Sequence, residues 1–151
     1  MLELKRILLV EDNLNDVELT IAALAEHNLA NDIAVVRDGE EALDYLYCQG
    51  QFAARPAGNP AVVLLDLKLP KVNGIEVLRR IRTDDNLKLL PVVILTSSQE
   101  DSDKVASYKL GVNAYVVKPI DFHKFVDAVK ILCVFWAVIN EPPSGSIKKE
   151  M

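Results

Sequence analysis

The 151-residue sequence has few cysteines, no long apolar run and no excess of basic residues. Two cysteines, Cys48 and Cys133, are too few for a disulfide framework, and both lie in apolar helical patterns. We therefore interpret them as free thiols in a reducing compartment. The longest apolar run, residues 131–139, is well short of the ~20 residues of a membrane-spanning helix, and residues 7–10 are too short a run for a signal peptide. These absences predict a cytoplasmic protein with no membrane partner.

The charge balance is acidic, with 17 Lys and Arg against 22 Asp and Glu, a net charge of −5. A nucleic-acid-binding surface normally carries a basic excess, so we expect no nucleic-acid partner. The length fits one domain, and the hydrophobic half of the composition is enough for a sizeable core. We predict one domain over residues 1–139 and a flexible tail over residues 140–151, since the tail combines Pro, Ser and Gly with terminal charges.

Five short apolar runs alternate with segments of helical periodicity. Continuous apolar runs of this length are typical of strands buried on both faces of a parallel sheet, and they lie at residues 7–10, 33–36, 62–65, 91–95 and 113–117. The first helix should be capped by Asn15 and end near Asn28, and the last should run from Asp121 to about Ile139. The alternation predicts an α/β fold with a five-stranded parallel sheet, five helices and right-handed crossovers.

Polar side chains follow four of the predicted strands. Ligands in open parallel sheets bind beyond the carboxyl ends of the strands, so these residues should meet at one edge. In chain order they are Glu11 and Asp12, then Asp66, then Thr96, then Lys118. Four strand ends therefore bring a carboxylate pair, a third carboxylate, a hydroxyl and an ammonium together.

Each of these groups has a chemical use. Three neighbouring carboxylates repel one another unless a cation lies between them, and a set of oxygen ligands suits Mg²⁺. Asp66 can act as a nucleophile and form an aspartyl phosphate. Lys118 can pair with a phosphoryl oxygen, and the hydroxyl of Thr96 can donate a hydrogen bond to another.

This constellation resembles the receiver domain of bacterial response regulators. The resemblance spans residues from Lys5 to about Val138, and each motif alone is weak. In this order, each at a strand end, the motifs are highly specific: Glu11-Asp12, Asp66, Pro70, Gly74, Thr96 and Lys118-Pro119.

The resemblance implies a mechanism and a topology. It implies phosphoryl transfer from the phosphohistidine of a sensor histidine kinase, Mg²⁺ dependence and later hydrolysis of the acyl phosphate. It also implies a flavodoxin-like, doubly wound strand order and a cis peptide bond between Lys118 and Pro119. By the same analogy, Tyr115 with Thr96 would form the switch, and the backbone carbonyl of Lys68 would be a further metal ligand.

Two features narrow the resemblance to the small regulators paired with cyanobacterial phytochromes. One is the long loop over residues 50–60, and the other is the ending over residues 135–139, which is followed by Pro142-Pro143. The expected kinase is therefore a phytochrome kinase. No output domain is expected after the fold, so the signal would pass through a partner surface.

Two other functions fit part of the same pattern. A Mg²⁺-dependent phosphohydrolase could use an Asp nucleophile on a similar sheet, but such enzymes usually place a second Asp two residues later, where this chain has Lys68. A degenerate receiver that only binds partners is disfavoured because all five polar positions are intact. We expect a phosphoacceptor switch, with at most self-catalysed phosphotransfer and dephosphorylation, rather than an enzyme acting on small substrates.

The last helix carries two apolar stripes. One has the spacing of a surface that faces the core: Phe122, Phe125, Val126, Val129, Leu132, Cys133 and Trp136. The second has no partner inside the domain: Ala128, Ile131, Phe135, Val138 and Ile139. Because large exposed apolar patches usually mark interfaces, the second stripe predicts a homodimer; the alternative is that the Pro142-Pro143 tail folds back over it.

Overall fold

The computed structural model describes residues 3–25, 33–119, 121–143 and 148–150. In these ranges the chain alternates strands with α-helices, as the apolar pattern predicts. The elements are β1 (Glu3–Lys5), β2 (Ile7–Val10), α1 (Leu14–Ala25), β3 (Ile33–Val36), α2 (Gly39–Leu46), β4 (Val62–Leu65), α3 (Gly74–Thr83), β5 (Val92–Thr96), α4 (Asp101–Lys109), β6 (Ala114–Val117), α5 (Phe122–Val134) and β7 (Lys148–Glu150).

Strands β2 to β6 form one parallel sheet in the order β3-β2-β4-β5-β6. This is the flavodoxin-like, doubly wound order, so the predicted fold class is confirmed. The strand order reverses between β2 and β4, where Val10 is in register with Leu65. The residues that follow these two strands are therefore neighbours, at the point where such sheets bind ligands.

The core has two layers because side chains alternate across each strand. On one face of the sheet, Leu8, Val10 and Leu65 pack with apolar residues of α2 and α3. On the other face, Ile7, Leu9 and Leu64 pack with residues of α1 and α5. Both faces are covered, which explains why β2, β4 and β5 are apolar at almost every position.

Short polar side chains begin the helices. Asp38 accepts a hydrogen bond from the Glu41 N–H at 2.8 Å and caps α2, and Asp121 caps α5 in the same way through Lys124 at 3.1 Å. The cap predicted for the first helix is wrong. Asn13, not Asn15, accepts from the Asp16 N–H at 3.1 Å, because α1 already begins at Leu14. The predicted end of this helix near Asn28 lies outside the described residues.

The last helix differs from its prediction in two respects. After Val134 it continues as one π-helical turn, Phe135–Ile139, closed by a hydrogen bond of 2.7 Å from the Asn140 N–H to the Phe135 carbonyl. Phe122 is 55% exposed rather than part of the core. It is the first residue of α5, and its ring packs edge-on against His123, so the buried stripe begins one turn later, at Phe125.

Residues 140–151, for which a flexible tail is predicted, contain the strand β7. It pairs antiparallel with β1, with Lys149 opposite Leu4, a pairing that the apolar pattern does not predict because neither strand is apolar throughout. The cis peptide expected at Lys118-Pro119 is absent: the described residues contain no cis peptide bond, in keeping with the intrinsic trans preference of X–Pro bonds. No helix within the described ranges is long and apolar enough to cross a membrane.

Candidate functional site

Asp66 lies at the carboxyl end of β4, in the centre of the sheet edge. Its N–H donates to the Val10 carbonyl at 3.1 Å, which continues the β2–β4 ladder and fixes the carboxylate beside the end of β2. The residue is only 7% exposed. Its Oδ1 accepts hydrogen bonds from the Thr96 hydroxyl at 2.8 Å and from the Lys68 N–H at 3.3 Å. A buried carboxylate is thus held in one orientation by two donors, one at the end of β5 and one in the loop after β4.

Lys118 reaches the same carboxylate from the end of β6. Its backbone N–H donates to the Thr96 carbonyl at 2.7 Å, which extends the β5–β6 pairing. Its ammonium donates to Asp66 Oδ2 at 3.1 Å, to Asp16 Oδ2 at 2.9 Å and to Glu11 Oε1. Nζ is therefore paired with three carboxylates in a largely buried position.

Burial and these ion pairs act in opposite directions on the pKa values. Burial alone would lower the pKa of Lys118, but the hydrogen bonds to Glu11 and Asp16 outweigh it and raise that pKa above its usual value. Burial raises the pKa of Glu11 to about 7, although the nearby Lys118 ammonium opposes the rise. Glu11 is therefore a carboxyl group whose ionisation depends on a neighbouring cation.

Oxygen atoms of Glu11, Asp12 and Asp66 all lie within 4.8 Å of one another. Two ligands on opposite sides of Mg²⁺ are roughly 4.2 Å apart, since each bond is about 2.1 Å long. A set of three carboxylates at this spacing therefore fits a hard divalent cation after a small closure. Asp12 is the exposed member, and the Arg37 guanidinium donates to its backbone carbonyl at 2.8 Å, which fixes the loop that carries it.

An open cleft of about 650 Å³ adjoins this cluster. Its lining includes Asp12, Lys68, Pro70, Asn73, Arg79 and Glu100. The cleft gives an incoming group access to the site. Lys68, predicted as a metal ligand through its carbonyl, lies on this lining and has an exposed side chain, and the role of its carbonyl stays a prediction.

The two predicted switch residues lie close to one another but in different environments. Thr96 is fully buried and touches Asp66 directly. Tyr115 is partly exposed on β6, in register with Ile94, and its hydroxyl donates to the Ser98 carbonyl at 3.1 Å. Burial raises the pKa of Tyr115, so the phenol stays a hydrogen-bond donor at neutral pH. The two residues are linked by the loop that follows β5.

The structure adds a residue that the sequence analysis missed. Asp16 lies on the first turn of α1, yet its carboxylate reaches Lys118, more than a hundred positions away in the chain. The signal that could have found it is its acidic side chain in the first turn of the helix that begins just after Glu11 and Asp12.

The predicted interface residues lie apart from this site, on α5 and the π-helical turn. Ile131 is 71% exposed and Phe135 is 43% exposed, whereas Ala128 is half-buried. Ile131 and Phe135, together with Lys130, Val134 and Ile139, line a shallow apolar groove of about 350 Å³, and Ala128 is not part of its lining. The side chain of Val138, the remaining member of the predicted interface, lies outside the described part of the chain.

The sequence matches the family model of the response regulator receiver domain over residues 7–130. This chain belongs to the response regulator receiver family. The match covers every residue of the acidic cluster together with Thr96, Tyr115 and Lys118. Receiver domains are signalling switches, and the geometry described above shows how the strand ends of this receiver bring the polar residues together.

Three relatives place the receiver more closely. It is 39% identical to response regulator Rcp1 of Synechocystis sp. over 132 residues, 87% of this chain and 88% of Rcp1. The crystal structure of the Mn²⁺-bound form of Rcp1 superposes with a TM-score of 0.86 and covers 93% of this chain and 99% of that one. The crystal structure of the phosphorylated cyanobacterial phytochrome response regulator RcpA superposes with a TM-score of 0.82 and 39% sequence identity. The superposition covers 90% of this chain and 99% of RcpA. The bacteriophytochrome response regulator RtBRR is 63% identical in sequence and superposes with a TM-score of 0.73, covering 95% of this chain and 86% of RtBRR.

Proposed function

We propose that this receiver takes a phosphoryl group on Asp66 from the phosphohistidine of a sensor histidine kinase. The observation that carries the proposal is the setting of the Asp66 carboxylate. It is held between the Thr96 hydroxyl at 2.8 Å and the Lys118 ammonium at 3.1 Å, beside an open cleft and two further carboxylates. A purely structural aspartate would not need an approach from solvent.

In the transfer, an Asp66 carboxylate oxygen attacks phosphorus, the P–O bond forms and the P–N bond to the imidazole breaks. The imidazole nitrogen leaves with the bonding electron pair. Lys118 and Thr96 can donate hydrogen bonds to the phosphoryl oxygens during the transfer, because both already contact Asp66. The same two groups stay beside the acyl phosphate until water hydrolyses it.

Mg²⁺ is the proposed cofactor, bound by Glu11, Asp12, Asp66 and the carbonyl of Lys68. Mg²⁺ would neutralise charge on the transferred group. The all-oxygen donor set and its 4.8 Å spacing support this assignment, and the relative Rcp1 is known in an Mn²⁺-bound form. Glu11 must be ionised to take part, and a cation in the cluster favours that form.

The proposed output is a change of surface rather than a chemical product. Movement of Thr96 toward the phosphoryl group would displace the loop after β5, which Tyr115 holds through the Ser98 carbonyl. We propose a phosphoacceptor switch in the cytoplasm, with no nucleic-acid or membrane partner, and no turnover of small substrates beyond its own phosphorylation and dephosphorylation. A phytochrome kinase is the proposed donor, since RcpA and RtBRR are phytochrome response regulators.

A homodimer is proposed for the same receiver. It would use Ala128, Ile131, Phe135 and Val138, of which Ile131 and Phe135 expose apolar side chains on one groove. A folded-back tail is the alternative occupant of this groove; within the described residues, its strand Lys148–Glu150 pairs with β1.

The decisive experiment is transfer from autophosphorylated kinases, beginning with a phytochrome kinase, with acetyl phosphate as a small donor in parallel. We expect about one phosphoryl group per chain, with none on Asp66→Asn, which is nearly isosteric and keeps the fold. Asp12→Asn controls for the loss of one carboxylate that is not the acceptor, and it should slow labelling rather than remove it. Undiminished labelling of Asp66→Asn would exclude Asp66 as the acceptor, and many turnovers per chain of a small phosphate ester that is not a phosphoryl donor to receivers would indicate a hydrolase.

A further inference from the structure

We infer that Asp16 is a positioning residue that holds the Lys118 ammonium beside the acceptor, an inference that rests on the proposed transfer to Asp66. Asp16 Oδ2 lies 2.9 Å from Lys118 Nζ. The other carboxylates on this ammonium, among the described residues, are Glu11 and Asp66. Both of those belong to the acidic cluster that fits a divalent cation, and Asp16 does not.

The position of Asp16 is fixed independently of the strand ends. Its N–H donates to the Asn13 cap at 3.1 Å, and its carbonyl accepts from the Thr20 hydroxyl at 2.7 Å. Its carboxylate is 24% exposed, whereas the Lys118 side chain is 9% exposed. The first turn of α1 therefore fixes the Asp16 carboxylate, and this carboxylate contacts a lysine at the end of β6.

Asp16 matters because two positive charges, the Lys118 ammonium and a divalent cation, would share the same carboxylates. An ammonium has three N–H donors, and here the three carboxylates accept from them. When a divalent cation draws on Glu11 and Asp66, Lys118 would be repelled by that cation and would lose part of its pairing. The Asp16 carboxylate is not needed by the cation, so it stays available to Lys118 as a charged acceptor. The ammonium can then stay within reach of the phosphoryl oxygens while the cation is bound.

A simpler role for Asp16 is an acidic residue that favours the N-terminus of α1. That role involves the helix alone, so it predicts the same loss of stability whether or not Lys118 is present. It predicts no special effect on Mg²⁺ binding. The two roles therefore differ in their dependence on Lys118.

Mg²⁺ affinity, measured by titration calorimetry, separates them. Without Asp16 the lysine depends wholly on two carboxylates that the cation also needs, so we expect Asp16→Ala to weaken Mg²⁺ binding about fivefold, within the usual range for a partly exposed ion pair. Asp16→Asn keeps a hydrogen-bond acceptor and nearly the same shape, so its Mg²⁺ affinity should lie between those of the wild type and Asp16→Ala. Glu18→Gln, an exposed acid on the same helix, is the matched control for lost negative charge, with an expected change under about twofold.

A double-mutant cycle with Lys118→Ala completes the test. In that background, adding Asp16→Ala should change Mg²⁺ affinity no more than adding Glu18→Gln does. The inference is overturned if Asp16→Ala matches Glu18→Gln with Lys118 in place, or if its full effect persists when Lys118 is absent.

Labelling by acetyl phosphate at saturating Mg²⁺ distinguishes failure of this inference from failure of the proposed function. We expect about three- to tenfold slower labelling for Asp16→Ala and an unchanged rate for Glu18→Gln. If the wild type is not labelled, the proposed function fails and the inference fails with it. If the wild type is labelled and Asp16→Ala is labelled equally fast, only the role of Asp16 is refuted.

Discussion

The Tyr115 hydroxyl donates a hydrogen bond of 3.1 Å to the backbone carbonyl of Ser98. Ser98 follows Thr96 by two residues, and its N–H donates in turn to the Thr96 hydroxyl oxygen at 3.3 Å. The residue that touches the acceptor and the aromatic residue on β6 are therefore connected through one short loop. This connection gives the proposed switch a physical route from the phosphoryl group to the surface.

The first prediction follows from this route. Phosphorylation should shift the NMR resonances of Thr96, Ser98 and Tyr115 together. In Thr96→Val, which keeps the shape but lacks the hydroxyl, the protein should still be labelled, more slowly, and the Tyr115 resonances should shift much less. Tyr115→Phe is the reciprocal variant and should leave the Thr96 shift intact. A full Tyr115 shift in Thr96→Val would show that the two residues respond separately.

The second prediction concerns the metal. Because Mg²⁺ should bind only the folded protein, a concentration about 100 times its Kd should stabilise the wild type by about 2.7 kcal/mol. Asp12→Ala should lose most of this gain in thermal unfolding. Glu100→Ala removes an exposed acid that lines the same cleft, but not a member of the cluster, and should keep the gain. Equal stabilisation of wild type and Asp12→Ala would place the metal elsewhere.

A third prediction concerns the loop that carries the acceptor. A Cβ added at Gly74 would lie 2.3 Å from the Asp66 carbonyl oxygen and 2.6 Å from Leu67 Cα, both backbone atoms that cannot rotate away. Gly74→Ala should therefore destabilise the fold by about 1–3 kcal/mol, measured by urea unfolding, and should slow phosphorylation of Asp66. Ser102→Ala, at an exposed position of α4, is the control and should change neither. Wild-type stability in Gly74→Ala would contradict this packing.

Much of the site could be predicted from the sequence because a parallel sheet aligns the carboxyl ends of its strands. A residue that follows an apolar strand has only one edge to occupy, so Glu11, Asp66 and Lys118 could be assigned to a common site without coordinates. The strand order was predicted from the family resemblance, because hydrophobic periodicity does not indicate which strands are neighbours in the sheet.

Asp16 could not be placed in the same way, because its direction depends on where α1 begins. The helix is capped by Asn13 rather than by the predicted Asn15, so Asp16 lies inside the first turn instead of directly after the cap. Its contact with Lys118 also depends on how close α1 lies to the end of β6, which apolar spacing alone does not give. The exposure of Phe122 has a related cause, since apolar spacing does not show at which turn of α5 the packed surface begins.

A fourth prediction follows from the two thiols. Burial raises the pKa of Cys133 from 9.0 to about 12, while Cys48 is only half-buried. At pH 8 a disulfide reagent should modify Cys48 alone in the native protein and both thiols after unfolding, and Cys48→Ser should leave no reactive native thiol. Because the folded pKa is the higher one, the contribution of Cys133 to stability should decrease as pH rises from about 9 toward 12. Rapid native modification of Cys133 would contradict its burial.

The last prediction is the dimer. Ile131, Phe135 and Ile139 expose apolar side chains along one groove of α5 and the π-helical turn, and burying them against a second copy would remove this surface from water. In an isologous contact the Phe135 side chain of each copy would be buried, so Phe135→Asp should bury an unpaired charge and dissociate the dimer. Leu89→Asp is the control, since Leu89 is even more exposed than Phe135 but lies on another surface. In sedimentation at high micromolar concentration, wild type and Leu89→Asp should be dimeric and Phe135→Asp monomeric. A wild type that stays monomeric, with and without phosphorylation, would exclude this interface, and dimers of Phe135→Asp would require a different one.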